Sequence, residues 1–177
     1  KNKNDLLLLL GLIIVIIFGT FLRFYDLSSN PPGFYVDEAA IGYNAYSILE
    51  TGKDEYGKSF PLLFRSFGDY KMPIYIYSSI LPIALVGLHP FSVRFISALA
   101  GTLSVIFVYF LIKEMFGQKG KWLSLIGALI FAISPWSIFF SRGAFESNLA
   151  LLFLVMGIFF LLKGLTKKIL WWFALLL

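Results

Sequence analysis

The sequence from residue 6 to residue 22 reads LLLLLGLIIVIIFGTFL, an apolar run without a charged side chain. About 20 such residues in a helix cross the hydrocarbon core of a bilayer. The run follows Lys1 and Lys3, and the residues Arg-Phe-Tyr that come after it are typical of a membrane interface. It is too long for the apolar region of a secretory signal, and no small-residue cleavage site follows it. It therefore predicts a first membrane span at about residues 6–25.

The composition supports an integral membrane protein. Of 177 residues, 59% are hydrophobic and 14% are charged, which is too apolar for an ordinary soluble domain. The absence of cysteine excludes disulfides and thiolate metal sites, and His89 alone does not make a histidine metal centre. The net charge of +5 comes from cations beside apolar runs, so no nucleic-acid partner is expected.

Further apolar runs predict further spans, at about residues 92–112, 122–140, 143–162 and 169–177. The segment between the first two spans, residues 26–91, is more polar and predicts an external loop with juxtamembrane helices at about 37–50 and 73–88. No strand pattern is convincing, so the predicted fold is an all-α polytopic transmembrane bundle. Because the last apolar run stops at Leu177, we expect the sequence to be part of a longer protein.

Charge predicts the orientation of these spans. Lysines cluster at residues 113–121 and at residues 163–168, and positive loops favour the cytoplasm. If residues 73–90 lie at the outer interface, both clusters share the side of the N-terminus; if they cross, both clusters are external. The first alternative is favoured, and it places residues 37–38 and the turn at residues 141–146 on the outer face.

Two adjacent carboxylates, Asp37 and Glu38, lie in the sequence NPPGFYVDEAAIGYN. The Pro-Pro-Gly turn is stiff, and the spacing after it predicts a helix to about Leu49. A carboxylate near a low-dielectric boundary can have a pKa suited to a general base. The alternative is that Asp37 is the N-cap of this helix and Glu38 a first-turn charge favoured by the helix dipole.

Other charged residues are candidates for phosphate binding. Lys71, in GDYKMPIY, either meets a lipid phosphate or only snorkels to the interface. Arg142 and Glu146 flank a span boundary; the guanidinium suits bidentate phosphate recognition, or the two side chains pair at i, i+4 spacing. Arg23 and Arg94 are interpreted as anchors at span ends, with phosphate recognition as the alternative for Arg94. Tyrosines of the outer region, Tyr75 among them, form an interface belt or stack on sugar rings.

The order of these elements resembles the N-terminal part of the polytopic GT-C glycosyltransferases. An external Asp-Glu pair is followed by a Lys-x-Pro-x-Tyr element at residues 71–75 and by the Arg-led span RFISALAG at residues 94–101. A Ser-Pro…Ser-Arg-x-x-x-acid turn at residues 134–146 completes the pattern, which covers nearly all of the chain. The resemblance is to bacterial relatives of dolichyl-phosphate-mannose protein mannosyltransferases and of lipid A aminoarabinose transferases.

The resemblance implies roles for these residues. Asp37 matches the catalytic base of the family, and Glu38 is the adjacent acidic position. Arg142 matches an arginine that contacts the carrier phosphate, and Glu146 stands where many relatives carry Asp. Lys71 matches the lysine of a Lys-Pro-Pro element, although Met replaces its first Pro; Tyr75 is the tyrosine of the same element.

The resemblance also implies an activity. The enzyme would take a sugar from a polyprenyl-phosphate-linked donor and transfer it, with inversion, to a protein, lipid or glycan acceptor on the extracytoplasmic face of a bacterial-type plasma membrane. Membrane lipids are the remaining expected partners. No cofactor is required, and a divalent cation held by carboxylates stays open. The alternatives are a fragment of a transporter, a non-catalytic lipid-binding subunit, or a piece without activity of its own; a transporter more often carries ionisable residues in mid-span.

Overall fold

The computed structural model describes residues 3–165 and 168–176; Lys1, Lys167 and Leu177, used in the predictions above, lie outside them. The described residues form an all-α fold, as predicted, with one short hairpin. The elements are α1 (Lys3–Phe24), α2 (Val36–Thr51), β1 (Phe64–Ser66), β2 (Asp69–Lys71), α3 (Pro73–Val86), α4 (Pro90–Phe116), α5 (Lys121–Ile133), α6 (Pro135–Arg142), α7 (Glu146–Gly164) and α8 (Trp171–Leu176), with 3₁₀ turns at Gly117–Gly120 and Lys168–Leu170.

Three helical stretches of the described chain are long and apolar enough to cross a membrane: Lys3–Phe24, Pro90–Ile133 and Glu146–Gly164. The middle stretch contains α4 and α5, which fold back on each other at the 3₁₀ turn, so that Gly127 lies against Ile112. The apolar helix α3 is shorter, with 14 residues. The protein is therefore an integral membrane protein, while the number and order of its crossings stay a prediction.

The predicted span at residues 122–140 is interrupted in the structure. Helix α5 ends at Ile133 and α6 begins at Pro135. Proline has no N–H to continue the helical ladder, but its fixed φ suits the first position of a new helix. The next helix, α7, begins at Glu146 rather than near residue 143, so a short turn separates it from α6.

Small residues allow α1 to approach its neighbours closely. Gly11 faces Leu125, and Gly19 faces Ala132, so α1 and α5 run in the same direction. Beside these glycines, Leu12 and Val15 pack with buried residues of α4 and α5. Close backbone approach through small residues is the usual basis of helix association in a membrane.

The bundle has two distinct ends. Asn148 at the start of α7 donates to the backbone carbonyl of Ser97 near the start of α4 (2.8 Å), and Lys163 near the end of α7 pairs with Glu114 near the end of α4 (3.0 Å). These helices therefore run in the same direction. We call the end at which α4 and α7 begin the site end, and the opposite end, which also contains the pair of Lys121 and Asp5, the far end.

The segment between α1 and α4 packs on the site end. Helices α2 and α3 form a core with β1 and α4, in which Ile41, Phe64, Ile76 and Val93 are at most 1% exposed. The antiparallel hairpin of β1 and β2 was not predicted, because three-residue strands are too short to show an alternating pattern. Its turn has positive φ at residues 67–68, and it presents Lys71 at the start of α3.

Candidate functional site

A cleft of about 280 Å³ with four charged side chains in its lining opens where α2, β2 and α7 meet at the site end. Its walls come from the start of α2, the end of β2 and the turn into α7, and the lining consists of Tyr35, Asp37, Glu38, Ile41, Lys71, Ala144, Phe145, Glu146 and Ser147. Four of the six predicted site residues therefore meet at one cleft, although the chain separates the first from the last by more than 100 positions.

Asp37 is the exposed acid of the cleft. Helix α2 begins at Val36 with Tyr35 at its N-cap, so Asp37 lies within the first turn and the alternative that it caps the helix is wrong. Its carboxylate is 66% exposed, and its Oδ1 lies 3.0 Å from Lys71 Nζ. An exposed carboxylate beside a cation is accessible to a hydroxyl that must lose a proton.

Lys71 supplies the positive charge of the cleft. Its side chain is only 15% exposed, and its ammonium also lies 3.9 Å from Asp69. An ammonium has three donors, and its strongest contact, with Asp37, uses one of them. Lys71 therefore retains donors beyond its contact with Asp37, and its low exposure does not fit a side chain that only snorkels to the interface.

Glu38 differs from its neighbour, because it is buried and fully hydrogen-bonded. Its Oε1 accepts from Arg94 Nε (3.0 Å) and from the Ala144 N–H (2.9 Å), and its Oε2 accepts from Arg94 Nη2 (2.9 Å) and from the Tyr35 N–H (3.2 Å). A carboxylate offers about four lone-pair sites, and all of them are occupied here. Glu38 was predicted as a catalytic residue beside the base Asp37, and this geometry leaves it no free acceptor site for direct chemistry.

Arg94 and Arg23 are not the interface anchors that the sequence predicted. Both side chains are fully buried. Arg23 donates to the hydroxyls of Ser137 (2.7 Å) and Ser141 (3.2 Å) and to two backbone carbonyls, so it links α1 to α5 and α6. Buried charges need such partners, because an unpaired ion in a low-dielectric interior is very costly.

Arg142 is absent from the cleft lining. Its guanidinium donates to four carbonyls at and after the end of α1, those of Leu22 (2.8 Å), Tyr25 (2.7 Å), Asp26 (3.3 Å) and Asn30 (2.9 Å). The last carbonyls of a helix lack internal partners and favour a cation. Arg142 therefore caps the end of α1. It neither pairs with Glu146, as one prediction had it, nor faces the cleft, as phosphate binding there would require.

Glu146 and Tyr75 have different environments. Glu146 Oε1 accepts from the Met72 N–H (3.2 Å), which ties the start of α7 to the residue after Lys71, and the side chain lines the cleft. Tyr75 is 1% exposed, and its hydroxyl donates to the Val93 carbonyl (3.0 Å). Burial raises the pKa of Tyr75, so the phenol stays protonated. Tyr75 is a core residue, and its hydroxyl is not free for the predicted contact with substrate.

An apolar groove of about 380 Å³ adjoins the cleft between α3 and α7. Pro73 and Ile74 form one wall, Leu149 and Phe153 the other, while Glu146 and Ser147 belong to both the groove and the cleft. The combination of a lysine ammonium with an adjoining apolar groove suits an amphiphile that has an anionic head and a hydrocarbon tail.

The sequence missed some residues of the cleft. Tyr35 lines it as the N-cap residue of α2, while Phe145 and Ser147 lie in and just after the turn between α6 and α7, whose conformation no motif indicates. Arg94 had a signal, since an ionisable residue within an apolar span is a functional candidate. Among the described residues, no group of three or more His, Cys, Asp or Glu side chains is arranged to hold a metal ion.

Comparison with known proteins gives a family. Neither the curated proteins nor the solved structures contained a match to this chain. The family model described as dolichyl-phosphate-mannose-protein mannosyltransferase matches residues 71–177, which is more than half of the chain and includes Lys71, Arg94 and Glu146. The protein therefore belongs to the dolichyl-phosphate-mannose-protein mannosyltransferase family and is a membrane glycosyltransferase of the mannosyltransferase kind.

Proposed function

We propose that the protein transfers a sugar from a polyprenyl-phosphate-linked donor to a hydroxyl group of an acceptor on the extracytoplasmic side of a bacterial-type plasma membrane. Family membership supports glycosyl transfer in general. The observation that carries the finer proposal is the exposed Asp37 side chain, whose carboxylate lies 3.0 Å from the ammonium of the mostly buried Lys71, in a cleft that adjoins an apolar groove.

The donor fits this arrangement by its chemistry. A polyprenyl phosphate sugar combines an anionic phosphodiester with a long apolar chain. Lys71 is the cation of the cleft. The groove between α3 and α7 offers an apolar surface next to it, since Glu146 and Ser147 line both the cleft and the groove. A charge-assisted hydrogen bond from the ammonium would hold the phosphate, and burial of the first isoprene units would add hydrophobic free energy.

The transfer step uses one proton acceptor. Asp37 takes the proton of the acceptor hydroxyl while the hydroxyl oxygen attacks the anomeric carbon of the sugar. The bond from that carbon to the phosphate oxygen breaks, and the polyprenyl phosphate leaves with the electron pair. Lys71 neutralises the developing charge, so little acid assistance is needed. Attack from the face opposite the leaving group inverts the anomeric configuration.

The substitution Asp37→Asn tests this proposal in the full-length protein. It keeps the shape of the side chain and removes the basic oxygen, so we expect transfer to fall by about 10² to 10⁴-fold while donor binding is retained. Asp5→Asn is the matched control, since Asp5 also pairs with a lysine, Lys121 at 2.7 Å, but lies at the far end. Near-normal turnover by the Asp37→Asn enzyme would reject Asp37 as the base. Donor binding without any transfer by the unmodified protein would favour the lipid-binding alternative.

The proposed side of the membrane has its own test. The sequence contains no cysteine, so single cysteines at Ser59 and Gln118 report without background from this chain. Both residues are exposed, Ser59 in the loop that packs on the site end and Gln118 in the turn at the far end. We expect a membrane-impermeant thiol reagent to label the cysteine at position 59 in intact cells and the one at 118 only after permeabilisation. Labelling of both from outside would contradict the proposed orientation.

A further inference from the structure

The pair of Glu38 and Arg94 is the most completely connected group of side chains at the site end. All five N–H donors of Arg94 are used: Nε and Nη2 donate to Glu38, Nη1 to the carbonyls of Leu27 and Pro31 (both 3.1 Å), and Nη2 also to the carbonyl of Gly33 (2.7 Å). The four acceptor sites of Glu38 are equally occupied. Such saturation fixes both side chains in one arrangement.

These bonds join four separate parts of the chain. Arg94 belongs to α4 of the bundle, Leu27, Pro31 and Gly33 lie in the connection from α1 to α2, Glu38 is in the first turn of α2, and the Ala144 N–H that reaches Glu38 belongs to the turn before α7. The start of α2 is therefore attached to the bundle through the side chain next to Asp37. Successive helix residues point about 100° apart, so the carboxylate of Glu38 meets Arg94 of the bundle while that of Asp37 meets Lys71.

Asp37 has no comparable means of holding its own position. Its ion pair with Lys71 is largely exposed on the Asp37 side, and exposed ion pairs are weak constraints. A buried ion pair, in contrast, is a poor source of net stability but can define a unique geometry. The contrast indicates that the position of Asp37 is fixed by the contacts of the adjacent residue, Glu38, with the bundle.

We propose that the Glu38–Arg94 pair positions Asp37 for catalysis, so that Glu38 is a positioning residue and not a second catalytic acid. This inference rests on the proposed function, in which Asp37 takes the proton. A base displaced by about 1 Å can lose on the order of 10²-fold in rate, because proton transfer requires hydrogen-bond distance to the acceptor hydroxyl.

The test uses Glu38→Gln and Arg94→Lys in the full-length protein, with kcat, donor KM and the pH dependence of kcat measured per folded molecule. Glu38→Gln preserves shape and removes the charge. Arg94→Lys keeps the charge and loses the fixed fork that reaches the three carbonyls. We expect each variant to lower kcat by about 10- to 100-fold with donor KM changed less than about threefold, and to retain the acid limb of the pH profile.

Arg23→Lys is the matched control. Arg23 is an equally buried arginine at the same end, but its hydrogen bonds lead to α5 and α6, away from the cleft. We expect Arg23→Lys to lower the unfolding temperature while kcat per folded molecule stays within about twofold of the original. If Glu38→Gln is too unstable to measure, the kcat of Arg94→Lys per folded molecule decides the test.

The outcomes separate the possible roles. Loss of the acid limb in Glu38→Gln would make Glu38 the titrating base and overturn the inference. An unchanged kcat per folded molecule in Glu38→Gln or Arg94→Lys would reduce the pair to a structural role and overturn it as well. Near-normal turnover of Asp37→Asn would instead reject the proposed function, so the two failures are distinguishable.

Discussion

The site end and the far end of the bundle both carry ion pairs, but they hold their charges in different ways. At the far end, Lys121 and Asp5 pair at 2.7 Å with side chains 28% and 50% exposed. At the site end, Arg94 and Glu38 pair at 2.9 Å with side chains 0% and 3% exposed. The distances are alike, so what differs is access to water. Water and salt screen the attraction between the far-end charges, so this pair contributes little. The buried site-end pair is held in one geometry by its hydrogen bonds.

The same contrast applies within the site end. Arg94 and Arg142 together bind seven carbonyls of the chain between Leu22 and Gly33. They hold the connection that leads to Asp37 from two sides, one from α4 and the other from α6. Asp37, in contrast, is exposed in the cleft, where it pairs with the less exposed Lys71. The two arginines hold the backbone of the site, and Asp37 and Lys71 are left for the proposed contact with substrate.

The larger of the two effects predicted from this comparison is on stability and is expected from Arg142→Met. The substitution leaves the Leu22 carbonyl in the last turn of α1 and three carbonyls after the helix without their cation, and hydrogen bonds to charged groups contribute about 1.5–3 kcal/mol each. We expect the free energy of unfolding to fall by about 3 kcal/mol, measured by denaturation in detergent, with donor affinity unchanged in the folded protein.

The far-end control for this change is Lys121→Met, for which we expect less than about 1 kcal/mol because the pair is exposed. A stable Arg142→Met protein with at least about tenfold weaker donor binding would contradict the capping role. It would restore the phosphate contact that the family resemblance implies for Arg142.

The sequence predicted those features that follow from local patterns. Apolar runs locate the helices, and the Pro-Pro-Gly turn followed by Asp37 and Glu38 locates the start of α2. Pro135 also carried a usable signal for the break between α5 and α6, although the apolar run across it favoured one continuous span.

The partners of the charged side chains could not be predicted from the sequence. Arg94 and Glu38 are separated by 56 positions, and Arg142 and Leu22 by 120. Local spacing offered Glu146 as the partner of Arg142, at i, i+4, but the turn at residues 143–145 ends α6 and sends the guanidinium back to α1. Which of two neighbouring acids is buried depends on the tertiary contacts of a single helical turn, and no pattern in one sequence contains that information.

The smaller effect is expected from Lys71→Met, and it concerns binding instead of stability. The pair with Asp37 is open on the Asp37 side, so its loss changes the free energy of unfolding by less than about 1 kcal/mol. An ammonium that holds a phosphate contributes more, and we expect donor affinity, measured by binding of a polyprenyl phosphate, to fall by about 10- to 100-fold. Lys121→Met removes the same charge at the far end and should leave that affinity unchanged. Equal losses of affinity in both variants would mean that the net charge of the protein attracts the carrier, and not the position of Lys71 in the cleft. The two ends of the bundle would then differ in stability alone.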